Sequence, residues 1–384
     1  MMSKETAKEI VDLLFKLYDE NNENTVINHH TYGIVLDFIG GEPFMNIDII
    51  SFVTEYFIQE CLRRDHIWLT NFRVSMSSNG LLYFEPKVQE YLHKYKDFVS
   101  LNITIDGPKE IHDTCRKDFN GDGSFDRSIK AWEHWYHEVK VNIPDTKVTI
   151  APENLSQLES TFDFFLANGC TTIHANPIFE HPWTIREASE YYHILIRLAD
   201  KLLKVEGAES SLFSDFKGKP LPPEDTNNYC GGTAAMLAFD PDGKAYPCLR
   251  YMASSLSPER KPLVIGDTHG IYNTPEYKAI YDDMKAVTRQ SQSLQECLDC
   301  PVASGCAWCS AENYNEFGTY NKRSINICWM HRAESLANVY YWNKYYKLHN
   351  IKDTFPLYLP RNIAEKIITN HEYNELYILS HSNI

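Results

Sequence analysis

Apolar residues recur every three or four positions over residues 3–19, a spacing that predicts an amphipathic helix. Ser3 stands where the N-cap of this helix is expected. The apolar face comprises Ala7, Ile10, Val11, Leu14, Leu17 and Tyr18. The chain is therefore predicted to begin with a helix that precedes its first strand.

From residue 33 to residue 175, short apolar runs alternate with longer segments of helical periodicity. Strands are predicted at 34–39, 71–76, 99–105, 147–150 and 171–175. The helices between them are predicted at 47–62, 86–95, 125–138 and 155–168. Strands and helices in such alternation indicate βαβ units and a parallel sheet. Gly, Asn, Ser and Asp gather after several of the strands, so the functional residues are expected at the carboxyl ends.

The pattern changes after a predicted helix at 184–204. A segment rich in Gly, Pro and Asp at 216–229 marks a predicted domain boundary. Further helices are predicted at 330–347, which is rich in Tyr and Trp, and at 361–380. The predicted domains are 1–215, 216–335 and a helical tail at 336–384.

Composition narrows the range of partners. The chain has 52 acidic and 37 basic residues and a net charge of −15, which argues against nucleic acids and anionic membranes as partners. No apolar run approaches the ~18 residues of a membrane span. Residues 1–5 lack the features of a signal peptide. A cytoplasmic location is therefore expected.

Seven of the ten cysteines lie between Cys230 and Cys328. Two C-x2-C pairs within this segment are only five residues apart, whereas the pairs of a zinc ribbon are usually ~15–20 residues apart. Seven thiolates also exceed what one zinc ion needs. The number is close to that required by two four-iron clusters, each normally held by four cysteines. Disulfides and a zinc site with spare thiols are the alternatives, and nothing in the sequence marks an oxidising compartment.

The arrangement of these cysteines resembles the SPASM domain, a C-terminal extension of radical S-adenosylmethionine (SAM) enzymes that carries auxiliary iron–sulfur clusters. The resemblance rests on Cys230, Gly243 and Cys248, followed by C-x2-C-x5-C and a distal cysteine. One departure is Cys306-Ala-Trp-Cys309, which has two residues where the family usually has three.

The resemblance implies two auxiliary [4Fe-4S] clusters. Auxiliary cluster II would take the full set Cys297, Cys300, Cys306 and Cys328. Auxiliary cluster I would take Cys230, Cys248 and Cys309, and it would be one ligand short. A substrate cysteine, another side chain of this chain, or water could fill the open position.

Motifs in the first half of the chain resemble those with which radical SAM enzymes bind SAM. They are Gly40-Gly41-Glu42-Pro43, Ser78-Asn79-Gly80 and the stretch from Thr104 to Arg116. The SAM-binding residues implied by the resemblance are Gly40, Gly41, Glu42, Ser78, Asn79, Thr104, Asp106, Arg116, Arg127 and Asn176. Arg116 and Arg127 both qualify for the SAM carboxylate, and the sequence does not choose between them. His112 and Asp113 are expected to stabilise a turn.

The fold implied is α/β: a partial (β/α)6 TIM-type barrel that lacks its first strand, followed by the SPASM domain. Radical SAM enzymes hold their catalytic [4Fe-4S] cluster through C-x3-C-x2-C after that first strand. No C-x3-C occurs in this sequence. The resemblance therefore leads us to expect an N-terminally incomplete chain. The catalytic cluster is expected only in the intact protein, and the catalytic residues are unknown.

SPASM-type enzymes mostly modify peptides or proteins. The sulfatase-maturating branch has Asp directly after the cysteine that corresponds to Cys248, and here that residue is Leu249. The Cys-Ala-Trp-Cys loop and the aromatic-rich tail are more similar to maturases of ribosomally made peptides, of the type with CXXX-repeat targets. The predicted function is radical modification of a cysteine-containing precursor peptide, with a thioether or related crosslink as product. A flavodoxin- or ferredoxin-type electron donor is implied.

Three alternatives stay open at this point. The chain could be a non-catalytic fragment that keeps its auxiliary clusters. It could be another protein-modifying SPASM enzyme, such as a sulfatase maturase. It could also be a zinc-binding structural protein.

Overall fold

Parallel strands alternate with helices through residues 34–210, as the sequence pattern predicts. The structure, a computed structural model, describes residues 1–23, 25–222, 230–233 and 235–381. A first parallel sheet contains β1 (Ile34–Phe38), β2 (Phe72–Ser78) and β3 (Val99–Ile103), in that order. A second contains β4 (Asp145–Ile150), β5 (Thr172–Pro177) and β6 (Glu209–Ser210).

Helices connect these strands and cover one face of each sheet. They are α1 (Lys4–Glu20), α2 (Ile47–Arg64), α3 (Pro86–Tyr95), α4 (Lys109–Cys115), α5 (Phe125–His134), α6 (Leu158–Ala167) and α7 (Ile185–Leu202). The Ser3 side chain accepts a hydrogen bond from the Thr6 N–H, which confirms Ser3 as the N-cap of α1. Among the described residues, β1 pairs only with β2, so its other edge is open.

The strands expose alternate residues, and this alternation separates the core from the candidate site. In β2, Phe72, Val74 and Met76 are buried, while Arg73 and Ser77 are exposed. The same alternation occurs in β4. One face of each sheet therefore packs against helices, and the opposite face presents mostly polar side chains, with the exposed Val35 of β1 as an exception.

The cysteine-rich half contains short elements. An antiparallel sheet is formed by β7 (Ala238–Phe239), β8 (Lys244–Tyr246), β9 (Gly266–Asp267) and β10 (Gly270–Ile271). The helices are α8 (Pro275–Lys285), α9 (Arg289–Gln292), α10 (Gln295–Leu298), α11 (Ser310–Phe317), α12 (Cys328–Leu348), α13 (Arg361–Ala364) and α14 (Asn370–Leu379). The β7–β8 turn is closed by the Asp240 carboxylate, which accepts from the N–H groups of Asp242 and Lys244. Gly243 supplies the positive φ that this turn requires.

Several predicted elements differ in extent from the observed ones. The predicted helix 361–380 is wrong as one element, because Thr369 and Glu372 form a capping box that begins α14 separately from α13. The predicted helix 125–138 contains a π-helical segment, Trp135–Val139. Strand β6 was not predicted, because two residues give no periodic pattern.

Helix α12 packs along α7 and connects the two halves of the molecule. It runs without a break across residues 335 and 336, where a domain boundary is predicted. Residues 223–229 of the predicted linker lie outside the described residues. No helix in the described stretches is long and apolar enough to cross a bilayer.

Candidate functional site

The Glu42 carboxylate joins the loop after β1 to the end of β2. Its Oε1 accepts hydrogen bonds from Ser78 Oγ at 2.8 Å and from the Phe44 N–H at 3.1 Å. Its Oε2 accepts from the Asn79 N–H at 2.8 Å. Three residues from two motifs of the resemblance, Glu42, Ser78 and Asn79, therefore lie in contact.

The end of β3 meets the same edge of the sheet. The Thr104 N–H donates to the Ser78 carbonyl at 2.9 Å. Two residues further on, the Asp106 carboxylate accepts from Arg116 Nε at 2.6 Å and from Arg116 Nη2 at 3.3 Å. Thr104 is thus held next to Ser78, which in turn contacts Glu42, and Arg116 is paired with Asp106 two residues further along the chain.

Arg127 lies further along the chain and makes a separate ion pair. Its Nη2 donates to Asp118 Oδ2 at 2.6 Å, while Asp118 Oδ1 accepts from the N–H groups of Asn120 and Asp122. Arg127 therefore holds the loop between α4 and α5, whereas Arg116 is paired at the strand end. Both guanidinium groups are exposed enough to reach a carboxylate ligand.

His112 and Asp113 hold the polypeptide after β3 in place. The buried His112 ring accepts from the Asp106 N–H through Nδ1 at 3.3 Å, and its Nε2 contacts Ser124 Oγ at 3.0 Å. Burial lowers the pKa of His112, so the neutral ring is favoured. The Asp113 carboxylate accepts from the Phe125 N–H. These contacts are those expected of turn-stabilising residues.

The space above Gly40 and Gly41 is open. A Cβ placed on either glycine would meet no atom within 4 Å. An extended ligand could therefore approach this backbone closely, and Glu42 and the loop carbonyls are acceptors suited to an ammonium group. Asn176 lies in β5, exposed, and its amide donates to the Pro177 carbonyl; none of its described contacts is with the Glu42 loop.

Cys297, Cys300, Cys306 and Cys328 form one group of thiols, which we call the four-cysteine group. Burial raises the pKa of Cys297 and Cys300, and it raises that of Cys328 to about 11, with further contributions from the other thiols of the group. Arg323 Nη2 donates to Cys306 Sγ at 3.0 Å.

Cys230, Cys248 and Cys309 form a second group, which we call the three-cysteine group. A Cβ on Gly232 would lie 3.5 Å from Cys230 Sγ and 3.8 Å from Cys248 Cβ. The Cys248 and Cys309 thiols each cap a helical turn: they accept from the N–H groups of Arg250 at 3.5 Å and Glu312 at 3.4 Å, respectively. Burial raises the pKa of both thiols.

Arg250 links the three-cysteine group to the loop after β5. Its guanidinium donates to the buried Glu312 carboxylate at 3.1 Å and also to Glu180. Burial raises the pKa of Glu312. The sequence motifs did not point to Arg250, Glu312 or Glu180, although the position of Arg250, two residues after Cys248, was a local signal. Glu180 is 70 positions from Arg250 in the chain and gave no signal.

All ten cysteines are free thiols. No three His, Cys, Asp or Glu side chains converge as ligands of a single ion within the described part of the chain. Outside the two groups, Cys61 and Cys170 are buried, whereas Cys115 is exposed. The thiols within each group are near enough to affect one another electrostatically, yet they do not converge on one point.

A cavity of about 820 Å³ is lined by residues of β5, β6 and α12. Its lining includes Thr172 and His174, the α12 side chains Tyr341 and Tyr345, and His349 directly after that helix. It contains none of the residues implied in SAM or cluster binding.

No family model and no curated protein matches this sequence. Solved structures do match it. Native anSMEcpe with bound AdoMet (that is, SAM) superimposes with a TM-score of 0.63 over 91% of this chain and 90% of that chain, at 14% sequence identity. The same protein with AdoMet and the Cp18Cys peptide gives 0.62, at 14% identity, over 91% of each chain. With the Kp18Cys peptide it gives 0.61, at 15% identity, over 91% of each chain.

The neighbour anSMEcpe is a radical SAM/SPASM anaerobic sulfatase maturase. The chain has the fold of a radical SAM/SPASM enzyme. The resemblance read from the motifs is thereby confirmed at the level of fold, including the mixed α/β architecture with parallel sheets. The partial (β/α)6 barrel, the domain limits and the roles of the individual site residues stay predictions.

Proposed function

We propose that this chain belongs to a radical enzyme that modifies a peptide or protein. It would bind SAM at the carboxyl ends of β1–β3 and hold two auxiliary iron–sulfur clusters. The observation that carries the proposal is the sorting of seven cysteines into a group of four and a group of three. This sorting occurs in a chain whose fold matches that of anSMEcpe with AdoMet and peptide bound.

The residues at the strand ends fit SAM. Glu42 and the backbone carbonyls of Gly40 and Gly41 would accept hydrogen bonds from its ammonium group. Arg116 or Arg127 would pair with its carboxylate, because a guanidinium binds a carboxylate through two parallel hydrogen bonds. When bound to a reduced cluster, SAM supplies a radical that abstracts a hydrogen atom from the substrate. This chain's residues would orient the ligand and hold water away from it.

The substrate proposed is a cysteine-containing peptide made on the ribosome, and the product is a thioether or related crosslink. Support comes from the three-cysteine group, since a four-iron cluster normally has four cysteine ligands. A thiolate from the peptide is a soft ligand of the kind that iron–sulfur clusters favour. The peptides bound by anSMEcpe in its solved structures make a peptide partner reasonable here.

Sulfatase maturation is a more specific alternative for the reaction, and it is favoured by the similarity in fold to anSMEcpe, a sulfatase maturase. Against it stands Leu249, which occupies the place where the resemblance expects an Asp as general base. A leucine cannot accept a proton. We therefore favour a different protein- or peptide-modifying reaction.

A second candidate function is that of a non-catalytic protein that keeps its clusters. It is favoured by one observation, the absence of C-x3-C-x2-C from the sequence. For this reason we assign no residue of this chain to the cluster that cleaves SAM.

The test uses the natural protein, purified without oxygen from its own cells. It is incubated with SAM, a low-potential reductant and a cysteine-containing peptide. The proposal predicts 5′-deoxyadenosine and a peptide that has lost a pair of hydrogen atoms, both detected by mass spectrometry. Bound but uncleaved SAM would favour the non-catalytic candidate. Failure to bind SAM at all would overturn the proposed SAM site and leave only the non-catalytic candidate.

A further inference from the structure

A buried arginine contacts the four-cysteine group without a carboxylate partner. The Arg323 side chain is nine-tenths buried, with a residue exposure of 6%. Its Nη2 donates to Cys306 Sγ at 3.0 Å and to the carbonyls of Cys306 and Ala307 at 3.1 and 3.3 Å. Its Nη1 is buried and has no hydrogen-bond partner among the described residues.

A second arginine, Arg332, lies near the same thiols. It follows Cys328 by one turn of α12, so both side chains project from the same face of that helix. Its guanidinium stacks over the Trp329 ring at 4.6 Å, and its Nε is buried with no partner among the described residues. Within the described part of the chain, no carboxylate lies at ion-pairing distance from either arginine.

A buried cation without a counter-charge is unfavourable, because the protein interior solvates a charge poorly. The described contacts of Arg323 are with a thiol and two carbonyls, none of which carries a full negative charge. Four thiolates around a four-iron cluster, in contrast, have a net negative charge. Such a group would supply the counter-charge that the described residues do not provide.

We propose that Arg323, supported by Arg332, is the counter-charge of an iron–sulfur cluster held by Cys297, Cys300, Cys306 and Cys328. This inference rests on the proposed function, which assigns a cluster to these cysteines. One-electron reduction makes the cluster more negative, so a neighbouring cation favours the reduced state and raises the reduction potential. Arg323 is a positioning and tuning residue, since it acts on the cluster through Cys306.

A purely structural role would have different consequences. Arg323 also holds the loop at Cys306 and Ala307 through their carbonyls, and loss of these bonds would destabilise the fold with or without iron. Loss of a counter-charge would instead destabilise mainly the iron-loaded protein, and it would lower the reduction potential of the cluster. The two roles can therefore be separated.

The experiment compares Arg323→Met, Arg323→Lys and Arg332→Met with the wild-type chain. Arg260→Met is the matched control, because Arg260 also donates to two backbone carbonyls but has no described contact with a cysteine. Iron content, unfolding temperature with and without iron, and the cluster potential from an EPR-monitored dithionite titration are measured for each.

We expect Arg323→Met to lower the potential and to lower the unfolding temperature more with iron than without it. Arg323→Lys keeps the charge, so its cluster potential and unfolding temperature should stay closer to those of the wild type. Arg332→Met should lower the potential without loss of loop hydrogen bonds, so it tests the inference even if Arg323→Met fails to fold. Potentials that are unchanged in both Met variants, as in Arg260→Met, would overturn the inference.

Failure of the proposed function gives a different result. If a Cys297→Ser/Cys300→Ser variant binds as much iron as wild type, these cysteines hold no cluster. The cluster assignment then fails, and the inference fails with it. If iron is lost in that variant but the potential does not respond to the arginines, only the inference is wrong.

Discussion

The Glu42 side chain connects the loop after β1 with the end of β2. Its two carboxylate oxygens accept three hydrogen bonds, from Phe44, Ser78 and Asn79. Without them the loop that carries Gly40 and Gly41 would lose its side-chain connection to the end of β2. A ligand that needs this backbone in a fixed position would then have to order it on binding, at a cost in affinity.

Glu42→Ala should weaken SAM binding by about tenfold or more, since each tenfold change corresponds to about 1.4 kcal/mol. The same change should lower the free energy of unfolding by about 1–3 kcal/mol, because the Ser78 and Asn79 donors lose their acceptor. Titration calorimetry and chemical denaturation measure the two effects. The control Asp48→Ala removes only an exposed pair with Lys87 and should leave SAM binding unchanged. Equal affinity in the two variants would contradict the role given to Glu42.

His112 makes the stability of the folded protein depend on pH. Its pKa is lowered in the folded protein by burial, whereas in the unfolded chain it is about 6.5. Between these two values the unfolded state binds more protons, so stability falls as pH falls. The contribution of His112 is fully present above about pH 6.5 and is lost below it.

His112→Asn should flatten this dependence, because an asparagine oxygen can accept from the Asp106 N–H without titrating. Denaturation curves between pH 5 and pH 7.5 measure the slope, at pH values above the ordinary range of an aspartate carboxyl group. If wild type and variant have the same slope, His112 does not control stability in this range.

At the scale of elements, α12 connects the strand-and-helix half to the cysteine-rich half. Its Glu334 is buried and accepts from Tyr191 on α7 at 2.8 Å and from Lys217 at 3.0 Å. Lys217 belongs to the segment that follows β6. A buried charge pair therefore connects three parts of the chain.

Lys217→Met should destabilise the protein by about 3 kcal/mol, because it leaves the Glu334 carboxylate buried without its cation. The double variant Lys217→Met/Glu334→Gln should recover much of this loss, since it removes both charges and keeps an acceptor for Tyr191. Lys8→Met, at an exposed pair with Asp12, is the control and should change stability little. Denaturant unfolding measures these changes in the free energy of unfolding. A loss of stability in Lys217→Met no larger than that in Lys8→Met would contradict the role given to the buried pair.

The elements that the sequence predicted well are the ones with a long periodic pattern. Helix α1 and strands β1, β2 and β5 begin and end within about two residues of their predicted limits. Strand β6 is too short to give a pattern. The break between α13 and α14 depends on the Thr369 and Glu372 side chains, whose capping interaction competes with continuation of the helix.

The motifs of the candidate SAM site could be recognised because each motif is short and local. The charged residues around the cysteines could not be recognised from the sequence. Arg323 is 17 positions from Cys306, and Glu180 is 70 positions from Arg250. Such contacts depend on how the chain folds back on itself, and one sequence contains no periodicity that shows them.

At the scale of the whole molecule, acidic charge on the surface coexists with arginines next to the thiols. The net charge is −15, yet Arg250 and Arg323 lie beside the three-cysteine and four-cysteine groups. Local positive charge near an anionic cluster is favourable even in an acidic protein, because buried charges are screened less than exposed ones.

The central claim is that this chain holds two separate iron–sulfur clusters, and the most direct test is iron content per chain. Wild type, reconstituted without oxygen, should contain about eight iron atoms. Cys297→Ala/Cys300→Ala and Cys230→Ala/Cys248→Ala should each retain about four, with a folded core shown by an unfolding transition. Bound zinc in place of iron, or iron that is indifferent to both pairs of substitutions, would contradict the account.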